Sequence, residues 1–148
     1  MRSLYHIVWL TWLACLPAAQ AATKCGGYDN PCEKPLHLGK IETIVIERNW
    51  HGDEDNVMLK CNEKPPLTVD DVRKYMEKAG RIDALVRNEN ISVSSCRAYG
   101  TLTVRGGRQY GWSVGIWRDG VLSPSDEKDP TKFDDLYCGR CKAPFAQP

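Results

Sequence analysis

Apolar and polar positions change their period twice along this chain. Ile41 to Glu47 (IETIVIE) is β-branched and apolar, and predicts a strand. From Thr68 onward, Val69, Val72, Tyr75, Met76 and Ala79 recur at helical spacing, with Lys74 and Lys78 nearer the other face, which predicts an amphipathic helix. Thr68 can cap that helix, and Asp71, three residues on, stands where a capping box needs its acid. Asp70 and Asp71 also suit the positive end of the helix dipole, and Gly80 is expected to end the helix.

The second half alternates with a period of two. Thr101 to Val104 alternates, and Tyr110, Trp112, Val114 and Ile116 follow at every second position. Arg105-Gly106-Gly107-Arg108 separates the two runs, and its glycines can take positive φ, so a hairpin is predicted. Shorter strands are expected at Val57–Cys61, at Ile91 and Val93 leading to Cys96, and at Leu136–Cys138. Arg118-Asp119-Gly120 reads as a second turn leading into Val121-Leu122. Residues 22–39 read as an irregular arm pinned by Cys25 and Cys32, His51–Asn56 as a polar turn, and 123–135 as a loop. Ile82–Val86 either extends the helix after a break or begins a connection. The fold class expected is α+β: a small antiparallel β-sheet with one main helix packed on it, stapled by disulfides.

The N-terminus changes what should be counted. Arg2, an apolar run from Leu4 to Leu16, Pro17 and the small-x-small Ala19-Gln20-Ala21 together form a secretory signal peptide over residues 1–21. The run is short for a membrane span, which needs about 20 apolar residues. The alternative is lipid attachment at Cys15, as in a lipoprotein. Residues 22–148 are then a single disulfide-containing α+β domain, periplasmic or secreted. The whole chain of 148 residues has 20 Lys+Arg and 19 Asp+Glu. Removing the leader takes away Arg2 and no acid, so the remainder is electrically balanced. That balance, with export, argues against a nucleic-acid partner.

Processing leaves Cys25, Cys32, Cys61, Cys96, Cys138 and Cys141, an even set that reads as a disulfide framework of unspecified pairing. Cys138-Gly139-Arg140-Cys141 is a C-x-x-C. A redox pair needs a low-pKa thiol, commonly at a helix N-terminus, and no helix of useful length can follow this one. Zinc usually needs a second close pair, and six residues separate Cys25 from Cys32. His51 beside Asp53 and Asp55 has the parts of an oriented base, but no nucleophile elbow accompanies it. Asp53-Glu54-Asp55 lacks the periodic ligands of a calcium loop. No catalytic residue, metal or cofactor is therefore expected. Asn90-Ile91-Ser92 is a glycosylation sequon for a eukaryotic secretory pathway only.

The aromatic hairpin carries Tyr99, Tyr110, Trp112 and Trp117, with Arg97, Arg105, Arg108 and Arg118 about it. Tyr110 and Trp112 are expected in the core and the arginines at solvated turns. Trp50 and Trp117 fall outside the cleanest alternation and are divided between core and binding surface. Three loops are candidates for partner contact: the acidic turn (His51, Asp53, Glu54, Asp55), the hairpin tip (Arg105, Arg108), and the 123–135 loop (Asp126, Glu127, Asp129, Asp134, Asp135).

The order of motifs is familiar. Thr68-x-Asp-Asp-Val-Arg-x-Tyr75, Ser95-Cys-Arg-Ala-Tyr-Gly-Thr-Leu102, Tyr110-x-Trp112 and Leu136-Tyr-Cys-x-x-Cys141 with Pro144-Phe145 follow one another. This resembles small exported proteins of Gram-negative bacteria, among them periplasmic immunity partners of toxins delivered by contact-dependent or type VI secretion. The resemblance covers roughly residues 68–145. It implies a non-enzymatic inhibitor that blocks a toxin or cell-wall-degrading enzyme by direct protein–protein contact. The competing expectation is a small secreted thiol oxidoreductase or hydrolase using Cys138/Cys141 or His51.

Overall fold

A computed structural model describes residues 31–52, 60–83, 93–129, 131–142 and 144–145. The leader (1–21), Cys15, Cys25, the acids Asp53, Glu54 and Asp55, and Asn90 lie outside these residues.

The elements run β1 (Lys34–Pro35), β2 (Ile41–His51), α1 (Val69–Lys78), β3 (Gly80–Ile82), β4 (Arg97–Val104), β5 (Gln109–Gly115), β6 (Asp119–Pro124) and β7 (Asp134–Tyr137). The seven strands form one sheet in the order β1-β3-β7-β6-β5-β4-β2. Every pairing is antiparallel. The α+β class read from the sequence is the architecture observed.

The helix forms as its sequence dictates. Thr68 Oγ1 accepts from Asp71 N at 3.2 Å, and Asp71 Oδ2 accepts from Thr68 N at 3.0 Å, a complete capping box. Val72, Tyr75 and Met76 are buried against the sheet. The strands supply the other half of the core through alternation. Ala98, Leu102 and Val104 of β4, Trp112 and Val114 of β5, and Leu122 of β6 face the helix. The other face is more open, with Val45 and Tyr99 exposed.

Several boundaries depart from the sequence reading. β2 runs on to His51, past the predicted end at Glu47, with register shifts at Ile41/Thr43, Ile46/Arg48 and Arg48/His51 that let a long edge strand twist. His51 is therefore the last residue of a strand rather than part of a turn. Cys61 opens a short 3-10 turn, Cys61–Glu63, and does not end a strand; Val57–Leu59 lie outside the described residues. Gly80 does not merely stop the helix. It begins β3, because its bare backbone lies against Glu33, where a methyl group would sit 2.5 Å from the Glu33 Cβ. Val93 is exposed and in no strand. The second turn falls at Ile116–Arg118, two residues earlier than predicted, and Asp119 and Gly120 are already in β6. Ser123 and Pro124 extend β6, and Asp134 and Asp135 belong to β7, so the predicted loop is shorter at both ends.

Two disulfides tie the described residues together. Cys61–Cys96 joins the segment after β2 to the start of β4, and Cys138–Cys141 closes the loop after β7. Cys32 is also disulfide-bonded.

Candidate functional site

Strand β4 separates two ends of the sheet by about 25 Å, at roughly 3.3 Å per residue. The residues expected to meet a partner divide between those ends.

At the hairpin end, the turn takes the form its glycines permit. Gly106 and Gly107 have φ of 97° and 83°, Gly107 N donates to Val104 O at 3.0 Å, and Val104 N donates to Arg108 O at 3.0 Å. Ser125 N donates to Gln109 O at 3.0 Å, which fixes the start of the 125–129 segment beside the hairpin tip. Arg108 and Asp126 thereby line one shallow depression with Gly107, Gln109 and Ser125. Arg108 also lies over the Tyr110 ring, 5.3 Å from its centroid. Arg105 N donates to Lys40 O at 2.8 Å, and its side chain makes a long contact with Glu42, 3.9 Å. Glu127 is the most occupied of the group: it accepts from Asp129 N at 3.1 Å and pairs with Lys132 at 3.7 Å. Asp129 accepts from the Thr131 hydroxyl and backbone, and those bonds hold its carboxyl below the ordinary range.

The other end holds His51 and Trp117. His51 is exposed and pairs in register with Arg97. Among the described residues its imidazole makes no hydrogen bond or ion pair. It lines a depression of about 260 Å³ on the open face with Gly52, Ser94, Ser95, Arg97, Tyr99 and Ser113. Trp117 is half-buried and packs on the core. Trp50, the other divided tryptophan, is fully in the core. Its ring meets Phe145 edge-on at 6.1 Å, and its Nε1 donates to Pro65 O at 2.6 Å.

Two of the four hairpin arginines are not at solvated turns. The Arg97 side chain is 23% exposed, and Asp119, which it grips through Nη1, is 3% exposed. Arg97 Nε donates to Ser113 Oγ at 2.8 Å, and Ser94 N donates to Asp119 Oδ1 at 3.3 Å. Arg118 is buried at a left-handed φ of 72°. That conformation turns its carbonyl toward Tyr75 OH, which donates to it at 3.0 Å, and toward Cys138 N, also at 3.0 Å. Its Nη1 donates to Gly139 O at 2.8 Å. Glu33 Oε1 accepts from Gly139 N at 2.9 Å on the other side. The C-x-x-C loop is thus clamped on both faces, with Cys138 fully buried and Cys141 7% exposed.

This buried polar network (Tyr75, Arg97, Arg118, Asp119) was not legible as a unit. Its one trace in the sequence is that Gly115 and Gly120 flank the Arg118-Asp119 step and leave room for the Asp119 carboxylate and the Tyr75 hydroxyl. Among the described residues no group of three His, Cys, Asp or Glu side chains converges as metal ligands would, and no helix is long and apolar enough to cross a membrane.

No protein-family model matches the chain, and neither a curated protein nor a solved structure matches it.

Proposed function

We propose that the chain is an exported binding protein, an immunity protein that holds a toxin or cell-wall-degrading enzyme inactive by direct contact. The observation that carries this reading is the hairpin end of the sheet. There, Arg105, Arg108 and Asp126 stand on segments joined backbone to backbone, on a sheet whose disulfides limit its motion. A rim ordered before encounter loses less entropy on association, which is what an inhibitor needs. Mixed charge on the rim favours a partner of complementary pattern. The disulfides accord with an oxidising compartment such as the periplasm.

Burial of Cys138 and Cys141 supports a fastening role for that pair, since attack by an external thiolate requires access to sulfur. His51 has neighbouring serines, but among the described residues its imidazole has no hydrogen-bonded partner to activate.

The test is capture from the native host. The tagged chain should recover one enzyme, the product of a neighbouring gene, and Arg105→Glu/Arg108→Glu should lower that recovery at least tenfold. Failure to capture any protein, joined with turnover of peptidoglycan, lipid or a thiol substrate by the chain alone, would replace this reading with the hydrolase or oxidoreductase.

A further inference from the structure

We infer that the groove between helix α1 and the Cys138–Cys141 loop is a second binding surface, built for an acidic, partly apolar peptide segment of a protein. The groove has a volume of about 260 Å³ and is lined by Lys74, Lys78, Arg140 and Lys142 over Tyr75 and Phe145.

Charge is the first argument. Four cations meet one carboxylate, Asp71, and that carboxylate is already held in the capping box. Lys78, Arg140 and Lys142 have no ion-pair partner among the described residues. Lys74 pairs with Asp70 at 2.6 Å, but both side chains are more than half exposed, and such a pair exchanges readily for another anion. Lys74 and Lys78 of the helix therefore face Arg140 and Lys142 of the loop across a groove whose one lining acid is already engaged.

Geometry is the second. Lys74 and Lys78 are one helical turn apart, a rise of about 6 Å. Alternate side chains of an extended peptide repeat at about 6.7 Å. A peptide with acids at every second position can thus set successive carboxylates against successive lysines. Its intervening apolar side chains would then meet the floor of the groove at Phe145, whose ring packs on the fully buried Tyr75 at 5.2 Å. The opposite wall is rigid. The disulfide closes a four-residue loop, Cys141 N donates to Cys138 O at 3.1 Å, and the Arg118 and Glu33 contacts fix Gly139. Arg140 and Lys142 are therefore presented in advance of any ligand, and the Arg140 fork suits a carboxylate in two-point contact.

The inference rests on the reading of the chain as a protein-binding module but uses a different surface, so the two can fail separately. The probe is a fluorescein-labelled Glu-Leu-Glu-Leu-Glu-Leu peptide titrated into the oxidised chain and read by anisotropy. Binding is expected at low salt and should fade as ionic strength rises toward about 0.5 M, where screening is strong. Lys78→Glu/Lys142→Glu should weaken it at least tenfold, and Arg105→Glu/Arg108→Glu should leave it unchanged. Near-ultraviolet circular dichroism checks that each variant is folded. Should the reversal fail to fold, Lys78→Gln and Lys142→Gln, both at exposed positions, should each weaken binding about threefold. Three results overturn the inference: no peptide binding, equal binding of a Lys-Leu-Lys-Leu-Lys-Leu peptide, or displacement by inorganic triphosphate at lower concentration than unlabelled peptide. The last would mark a site for free anions instead. Partner capture that survives loss of peptide binding would leave the proposed function standing and this surface unused.

Discussion

At Gly115 a methyl group has nowhere to go. Built on that backbone, it would overlap the Asp119 carboxylate, which Arg97 and Ser94 already hold in place. Gly111, on the same strand, is different: its methyl would lie 3.5 Å from Ser123 Oγ, an ordinary contact. Gly115→Ala should therefore cost about 2–3 kcal/mol in urea unfolding, because moving Asp119 strains or unpairs a buried carboxylate, whereas Gly111→Ala should cost less than about 1 kcal/mol. Equal losses would show that Asp119 has room to shift. Tyr75 gives a second reading of the same network. Burial first, then the nearby Asp119 charge, pushes its phenol well above the ordinary 10.0. The sign follows from proton counting. Below pH 10 both folded and unfolded states keep the proton, and the stabilisation is fully present. Above it only the unfolded state releases the proton, so stability falls with rising pH by about 1.4 kcal/mol per unit until the folded-state value is reached. Tyr75→Phe should remove that alkaline slope while costing about 1 kcal/mol at neutral pH, since Arg118 O keeps Cys138 N as a donor. Urea midpoints between pH 8 and pH 11 decide it; an unchanged slope would mean the phenol ionises freely in the fold.

At the scale of elements, local chemistry predicted best where one residue decides the outcome. Thr68 and Asp71 satisfy each other's backbone donors as a capping box does, and Gly106 and Gly107 take the positive φ that a tight hairpin needs. Thr68→Ala should accordingly cost about 1 kcal/mol in thermal unfolding, and Thr68→Asp should recover most of it. A loss within error for Thr68→Ala would mean tertiary packing alone holds the first turn. Elements set by distant partners were less legible. β1 is two residues long and exists because Lys34 and Pro35 find Arg81 and Gly80 across 45 residues of chain. β3 lies between β1 and β7 for the same reason, and nothing in Gly80-Arg81-Ile82 shows a period. Strand ends were missed where burial outweighs polarity: Asp119 and Asp135 read as turn and loop residues, yet both are buried in strands. The candidate contact residues were legible as loop chemistry. Their grouping was not, because Arg108 and Asp126 meet only through the β5–β6 pairing, and the cationic groove joins residues 74 and 142.

At the scale of the whole molecule, the two described disulfides do different work, and the difference separates a fastener from a reagent. Cys61–Cys96 spans 35 residues, including all of α1 and β3, and it anchors the buried start of β4. The Cys61 sulfur also abuts the backbone at Gly52, where a methyl would sit 2.6 Å away. Cys138–Cys141 spans three. Loop-closure entropy alone gives about 4 kcal/mol for the long bridge and about 2 kcal/mol for the short one. Cys61→Ala/Cys96→Ala should therefore destabilise the chain roughly twice as much as Cys138→Ala/Cys141→Ala, measured by urea unfolding without reductant. The short bridge has a further consequence that stability alone does not show. It holds Arg140 and Lys142 against the helix, so its loss should loosen the groove and weaken acidic-peptide binding several-fold. Capture at the hairpin end, which shares no lining residue with the groove, should survive. A thiol reagent predicts another pattern: the Cys138→Ala/Cys141→Ala chain would keep its fold and its peptide binding and lose a turnover that the parent chain performs. One pair of substitutions read by unfolding, peptide anisotropy and thiol turnover therefore assigns the C-x-x-C to one chemistry or the other.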